Sequence, residues 1–322
     1  MSDETNEPQP PLQRVVGVIA AVVLAFAMTQ AVLAQGGAPP PKAPTVKPPV
    51  PTPSVKPAVP AGRDPGGIAI ALIVTGIDYT HPDIKDRLAR DGEGEIIGID
   101  LIDGDNRPYA ATSLPGNEDG AVDTILARRI LSTYRHARLV PIRVDPKNKI
   151  MLARALAFAA TTPARIVAVP LWSEDKETWE IFRQAAEQIP DHLLILPAGD
   201  ADAVAQGRAQ WPGALNLKGS LIVATASETI ARGTLSRPGA PRIDALLLGR
   251  GESMFAGIVP QATDSSEAVA LAAGLAACAQ HSGPAASAQE ARERLLALAV
   301  RSEGPRQTPV LDPLCLYGGT RY

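Results

Sequence analysis

Seven short apolar runs punctuate the chain between residues 68 and 248. The first, IAIALIV at 68–74, is continuous, rich in β-branched residues and closed by Thr75-Gly76. Runs of the same character lie at 96–99, 139–144, 166–171, 193–196, 221–224 and 243–248. A strand buried on both faces reads as an unbroken apolar run, unlike the alternation of a half-exposed strand. Between several of these runs lie helical patterns at 121–131, 150–160 and 174–188. Ser173 is placed to cap the last of these, with Glu174 and Asp175 in the first turn, where acids are favoured. Strands alternating with helices predict βαβ units and a mostly parallel sheet covered on both faces. Two more helices follow. The first, 266–280, is alanine-rich and suited to deep burial; the second, 288–301, opens on a Ser287/Glu290 capping box. The remaining tail predicts a short extended or hairpin piece.

The N-terminal pattern is different. Residues 15–28 carry no charge and no strongly polar side chain, and apolar character resumes at Ala31 after Thr29 and Gln30. A stretch of about 20 apolar residues can span a bilayer as a helix. Val32-x-Ala34 before Gln35 also fits a signal-peptidase site. Residues 15–34 therefore read as a transmembrane anchor or a signal peptide, preceded by a short tail at 1–14. Asp3, Glu4 and Glu7 make that tail acidic, but Arg14 abuts the apolar run, and basic residues set orientation. Residues 35–65 are proline-rich, and proline fixes the backbone and removes a donor, so this tract predicts an extended, solvated linker. A docking segment for an aromatic-lined groove or an envelope polymer is the other reading. The expected organisation is a tail at 1–14, membrane or signal segment at 15–34, linker at 35–65, main domain at 66–303 and extension at 304–322. The expected location is a bacterial-type inner membrane with the domain in the periplasm or outside the cell, or secretion after cleavage near Ala34.

Composition narrows the function classes. A net charge of −3 offers no concentrated basic surface for a phosphate backbone. At 4% aromatic residues, stacking platforms for single strands are not expected either. No nucleic-acid partner is expected. Two cysteines, Cys278 and Cys315, and four scattered histidines make no zinc pattern. Export would permit a Cys278–Cys315 disulfide, and a buried free thiol is equally ordinary in an apolar helix. No metal or other cofactor is expected.

Residues 71–84, ALIVTGIDYTHPDI, resemble the first signature of the subtilisin-like serine proteases. Thr75, Gly76, Ile77, His81, Pro82, Asp83 and Ile84 match its usual continuation, but Val74 stands where the family carries its catalytic aspartate. The histidine signature corresponds to NEDGAVDTILA at 117–127, placing Glu118 at the histidine and Asp119 and Gly120 at the Gly-Thr pair. Asp200, in LLILPAGD, occupies the oxyanion asparagine position. ATDSSEAVALAAG at 262–274 resembles the nucleophile helix in either of two registers, one placing Asp264 and the other Ser266 at the nucleophile. Ala168, Val169, Pro170, Leu171 and Trp172 stand at the substrate-lining strand. The resemblance spans residues 66–303 and implies a subtilisin-like three-layer α/β fold with a mostly parallel central sheet.

It also implies a degenerate site. A hydroxyl nucleophile needs a base and a carboxylate to orient that base. Val74 cannot orient anything, Glu118 is a weak base toward an alcohol, and an ionised Asp200 would repel a forming oxyanion. No intact catalytic set is expected. The expectation is a pseudoprotease acting through a protein or peptide partner, or as an accessory subunit of a membrane complex. The alternatives are a hydrolase rebuilt around Glu118 and Asp264, or a divergent serine protease using Ser266. Glu118, Asp119, Asp200 and Asp264 could also gather around Ca²⁺ or act as an acid–base pair. Solvated acids lining an abandoned groove are the plainer reading. Ser265 and Ser266 are expected to satisfy backbone donors at the helix start. His81 is expected to be structural, and His136, His192 and His281 non-catalytic. Trp172 and Trp211 are expected in core or groove packing, and Trp179, on the third helix, is the better candidate of the three for a partner interface.

Overall fold

The computed structural model describes residues 56–110, 118–199, 207–225, 242–248, 264–301, 308–312, 314, 316–317 and 320–321. The segment 15–34 lies outside the described residues. Among the described residues, no helix is long and apolar enough to cross a membrane.

The apolar runs become strands of one nine-stranded sheet. The strands are β1 (Ile68–Val74), β2 (Ile99–Asp100), β3 (Ala137–Arg143), β4 (Ile166–Ala168), β5 (Leu193–Pro197), β6 (Ser220–Thr225), β7 (Ala245–Leu247), β8 (Val300–Arg301) and β9 (Pro309–Leu311). Their spatial order is β2-β3-β1-β4-β5-β6-β7-β9-β8. Each neighbouring pair is parallel, save β8 against β9. A separate antiparallel pair, β10 (Leu316–Tyr317) and β11 (Thr320–Arg321), matches the expected hairpin in the tail.

The helices are α1 (Pro82–Lys85), α2 (Glu118–Thr133), α3 (Lys149–Ala160), α4 (Lys176–Ala186), α5 (Asp264–Cys278) and α6 (Ala288–Leu296). Strand β1 shows why the sheet is covered on both sides. Ile70, Leu72 and Val74 join a core with Leu126 and Ile130 of α2, residues 268–278 of α5 and Leu295 of α6. Ala69, Ala71 and Ile73 face a second core with Leu152, Leu156 and Ala159 of α3 and Trp179 and Phe182 of α4. Two-residue alternation of side chains sends successive apolar residues to opposite layers. The layer holding α5 is built from small side chains. At Gly274, where α5 meets α2, an added Cβ would lie 2.5 Å from Thr133 Cβ and 2.9 Å from Ile130 O. Cys278, at the end of α5, is buried and disulfide-bonded; the sequence's other cysteine, Cys315, lies outside the described residues.

Several local expectations are corrected. Helix α4 starts at Lys176, not residue 174, because Asp175 is its cap and accepts from Glu177 N. Ser173 Oγ instead accepts from Trp179 Nε1 at 2.8 Å. Trp179 is no interface residue: it is 1% exposed, since helical spacing sets it with Phe182 and Ala186 on the sheet-facing side. Helix α6 ends at Leu296, and Val300–Arg301 pair antiparallel with β9 instead of continuing the helix. The capping contact of Ser287 is present: its Oγ accepts from Glu290 N at 3.1 Å, while Glu290 Oε2 accepts from Ala286 N at 2.8 Å. The run at 96–99 yields a strand only at Ile99–Asp100, with Ile96 bridged to Arg90.

Residues 56–66 lie against the domain as an extended strap. Tyr79 Oη donates to Pro57 O at 2.7 Å, and Arg90 Nη2 donates to Pro60 O at 2.7 Å. Asp64 accepts from Gly66 N and Arg90 N and pairs with Arg138.

Candidate functional site

The carboxyl ends of β1, β4 and β5 converge on the N-terminal turn of α5, with α2 beside it. Parallel α/β sheets characteristically bind ligands at this end of their strands. Val74, Ser265 and Ser266 fall here, and the groups described there are tied to the fold.

Val74, the last residue of β1, is fully buried in the α2–α5 core. A branched hydrocarbon here neither accepts a proton nor orients a base. The polar contact at this strand end comes one residue later. Thr75 N and Oγ1 donate to Asp123 Oδ2 at 2.7 and 2.6 Å. Asp123 is 4% exposed. The neighbouring Thr124 Oγ1 accepts from Asp78 N at 2.9 Å. Asp123 and Thr124 thus pin α2 to the turn that follows β1. Asp123 was missed in the sequence. Its signal was a lone acid three, four and seven residues before Leu126, Ala127 and Ile130, on the buried face of the helix.

Helix α5 begins at Asp264, two residues before the expected start, so Ser265 and Ser266 lie inside its first turn. Both serines are buried. Ser265 Oγ donates to Gly199 O at 2.6 Å, and Ser266 Oγ donates to Pro170 O at 2.7 Å. Beyond any capping role, the hydroxyls donate to carbonyls that follow β5 and β4. A hydroxyl has one proton to give. In this arrangement the proton points at a main-chain carbonyl, which cannot take it up as a general base does. Gly199 suits the close approach: its φ is +103° and an added Cβ would meet Gln210 Cβ at 2.3 Å.

The next residue, Glu267, is buried and pairs with Arg129 of α2, Arg129 Nη2 to Oε1 at 2.6 Å. The two helices that flank the converging strand ends are therefore joined by a buried ion pair. Glu118 and Asp119 open α2 and Asp264 opens α5, and their side chains, like Asp200 as a whole, lie outside the described residues. The same holds for any contact among these four acids. Among the described residues, no group of three His, Cys, Asp or Glu could hold a metal ion.

The four histidines sit elsewhere. His81 caps α1, its Nδ1 accepting from Asp83 N at 3.1 Å, as expected for a structural residue. His136 and His192 precede β3 and β5, at the opposite end of the sheet. Burial, then the neighbouring Arg165, holds the His192 pKa below its ordinary value. Burial, Arg135 and His281 do the same for His136. His281 follows α5 and its Nδ1 lies 2.8 Å from Tyr134 Oη.

A cavity of about 510 Å³ also lies at the opposite end of the sheet, between the end of α4, residues 215–219 and the start of α6. Arg183, which lines it, is engaged with Glu180 and Glu187. This cavity shares no residue with the converging strand ends.

No protein-family model matches the chain, and no curated protein matches it. Solved structures do. A lanthipeptide protease superposes with a TM-score of 0.54 at 18% identity, over 75% of this chain and 83% of its own. The nisin leader peptidase from Lactococcus lactis gives 0.51 at 12% identity, over 78% and 87%. A cold-adapted subtilisin-like serine proteinase gives 0.50 at 13% identity, over 79% and 92%. At these identities the likeness is one of fold: the domain has the subtilisin-like α/β architecture.

Proposed function

We propose that this chain is a pseudoprotease: a subtilisin-like domain without catalysis, tethered to a membrane through residues 15–34, that works by binding a protein or peptide. The observation that carries the reading is the paired use of Ser265 and Ser266 as donors to main-chain carbonyls beside a buried Val74. Acyl transfer requires the nucleophile's proton to pass to an oriented base. Here the β1 end presents hydrocarbon, and every histidine of the chain is placed at another part of the fold.

The binding mode follows from what the domain keeps. The segment after β4 runs outward between two main-chain ties, Val169 N to Ile195 O and the mutual pair between Ser173 and Trp211. An extended peptide laid along Pro170–Trp172 would be held by strand pairing, with Trp172 as a side-chain contact. With residues 15–34 in the bilayer and Arg14 inside, the domain stands on the periplasmic or external side, where it would act as an accessory subunit of a membrane complex.

Two measurements on the full-length protein test this. The first incubates it with a library of extended peptides and reads the products by mass spectrometry. The reading predicts peptides recovered intact; cleavage products that disappear in Ser266→Ala would overturn it. The second isolates the protein from gently solubilised membranes. A partner at fixed stoichiometry is expected, and recovery of the lone chain in the soluble fraction would contradict the tethered role.

A further inference from the structure

The strap at residues 56–66 ends on a built ionic site. Lys56 Nζ lies 2.6 Å from Asp100 Oδ2, 2.8 Å from Asp103 Oδ2 and 3.1 Å from Asp105. The Lys56 side chain is 13% exposed and that of Asp100 is 0% exposed. Arg143 supports the cradle from below, Nη1 donating to Asp100 Oδ2 at 2.7 Å and to Asp103 Oδ2 at 2.9 Å. Burial works against the ammonium, but its hydrogen bonds to Asp100, Asp103 and Asp105 prevail and raise the Lys56 pKa. The rest of the strap is read through its backbone and one apolar side chain. Tyr79 and Arg90 donate to the carbonyls of Pro57 and Pro60, and Val59 packs on the core. Burial pushes the Tyr79 phenol up to about 12, so it remains a donor.

The docked residues belong to a repeat. Residues 53–60 read PSVKPAVP, and residues 44–51 read PTVKPPVP, nine positions earlier. Within the part described against the domain, 56–60, the copies differ at one position, Ala58 against Pro49. Ala58 is the exposed residue of the five. Every feature that the domain contacts, the lysine, the flanking prolines and the valine, is present in both copies. Proline at position 58 also suits the extended backbone the site accepts.

We propose that the Asp100–Asp103–Asp105 cradle is a recognition site for the Val-Lys-Pro-x-Val-Pro motif, and that residues 46–51 of the same chain are its second occupant. Exchange of Lys56 for Lys47 would loop out residues 52–60. Loop closure rises slowly with length, and a motif tethered so closely is present at high effective concentration. The exchange would change the free length of the tract upstream by nine residues. That is roughly 28 Å at the rise of an extended proline-rich chain. The site would thus set the reach of the tether in two steps. The inference stands on the cradle and the repeat, independently of whether the domain is catalytic.

Lysine footprinting of the full-length protein tests it, with a brief pulse of an amine-acylating reagent and mass spectrometry of each lysine. In the wild type, Lys56 should react several-fold more slowly than Lys42 and Lys47, because its ammonium is largely buried and held by Asp100, Asp103 and Asp105. In Lys56→Ala, Lys47 should become protected to a similar degree while Lys42 stays reactive. Asp103→Asn with Asp105→Asn, at exposed positions that leave the buried Asp100 in place, should weaken protection in both backgrounds with the thermal transition retained. Lys47 as reactive as Lys42 in Lys56→Ala would overturn the proposal. So would equal protection of Lys42, which lacks the motif, or protection of Lys47 that vanishes on dilution, which would mark a contact between molecules.

Discussion

The α2–α5 seam and the β2–β3 edge both gather charged and polar side chains near the carboxyl ends of strands, and they use them in opposite ways. At the seam, Asp123, Ser265, Ser266 and Glu267 are buried and bonded to main-chain groups or to Arg129. At the edge, Asp103 and Asp105 remain about two-fifths to one-half exposed and hold a lysine from the strap. Polar groups sealed inside a core stabilise a fixed arrangement, because leaving any one of them unpaired is costly. Groups at a wet edge contribute little to stability and can exchange partners. The subtilisin-like shell is therefore sealed at the α2–α5 seam and open to solvent where the strap at residues 56–66 arrives. Arg143 connects the two regions, donating to Asp100 and Asp103 on one side and to Thr75 O at 3.0 Å on the other.

The contrast is broken most directly at its ion pairs. Arg129→Met strands the Glu267 carboxylate in the core and should cost about 3–5 kcal/mol, read from the shift in urea midpoint. Arg129→Met with Glu267→Met should recover most of that loss. Lys56→Met at the edge should cost less, about 1–2 kcal/mol, because Arg143 still pairs the buried Asp100. Equal losses at the two sites would erase the distinction. Thr75→Val removes the hydroxyl donor to Asp123 Oδ2 and should cost about 1.5–3 kcal/mol, as expected for a hydrogen bond to a charged acceptor. Ser266→Ala, which removes a single neutral donor to Pro170 O, should cost about 1 kcal/mol.

How much of this the sequence reveals follows the same division. Ile68–Val74 declares itself as a doubly buried strand because every side chain in it must enter one of two cores. Glycine at 274 and the alanines around it mark the close crossing of α5 and α2 in the same way. The boundaries that failed were set by competition among neighbouring polar groups. Ser173 and Asp175 both fit a helix cap, and the indole of Trp179 engages Ser173, leaving Asp175 as the cap. Trp179 lies inside because its helical phase matches that of Phe182 and Ala186 on the buried face. At the end of β1 the sequence was legible, since Val74 is a hydrocarbon whatever surrounds it. The long-range bonds were not: that Ser266 donates to Pro170 O, or that Lys56 reaches Asp100, depends on elements 96 and 44 residues apart.

The smallest expected effect is at the edge and concerns pH. The hydrogen bond from Lys56 lowers the Asp103 pKa. At Asp105 and Asp64, burial opposes the charged form. At Asp105 the Arg107 N–H and Lys56 prevail; at Asp64 the N–H groups of Arg90 and Gly66, with Arg138, prevail. A carboxylate with a depressed folded pKa contributes stability above its unfolded value, near 4, and loses it as pH falls through the folded value. The strap should hold unchanged from pH 7 to about 5 and loosen below about 4. Amide exchange at Gly66 and Arg90, corrected for its intrinsic pH dependence, should accelerate there before the global transition does. Simultaneous opening of strap and core would contradict the independence of the two regions.

The central claim is that Ser266 is a structural hydroxyl. The most direct measurement is reaction of the folded, full-length protein with a fluorophosphonate probe, followed by mass spectrometry of the peptide that carries residues 264–278. The account predicts unmodified Ser265 and Ser266 after exposure that labels an active serine hydrolase to completion. A phosphonylated Ser266, formed in the folded protein and lost on denaturation before labelling, would show an activated nucleophile and contradict it.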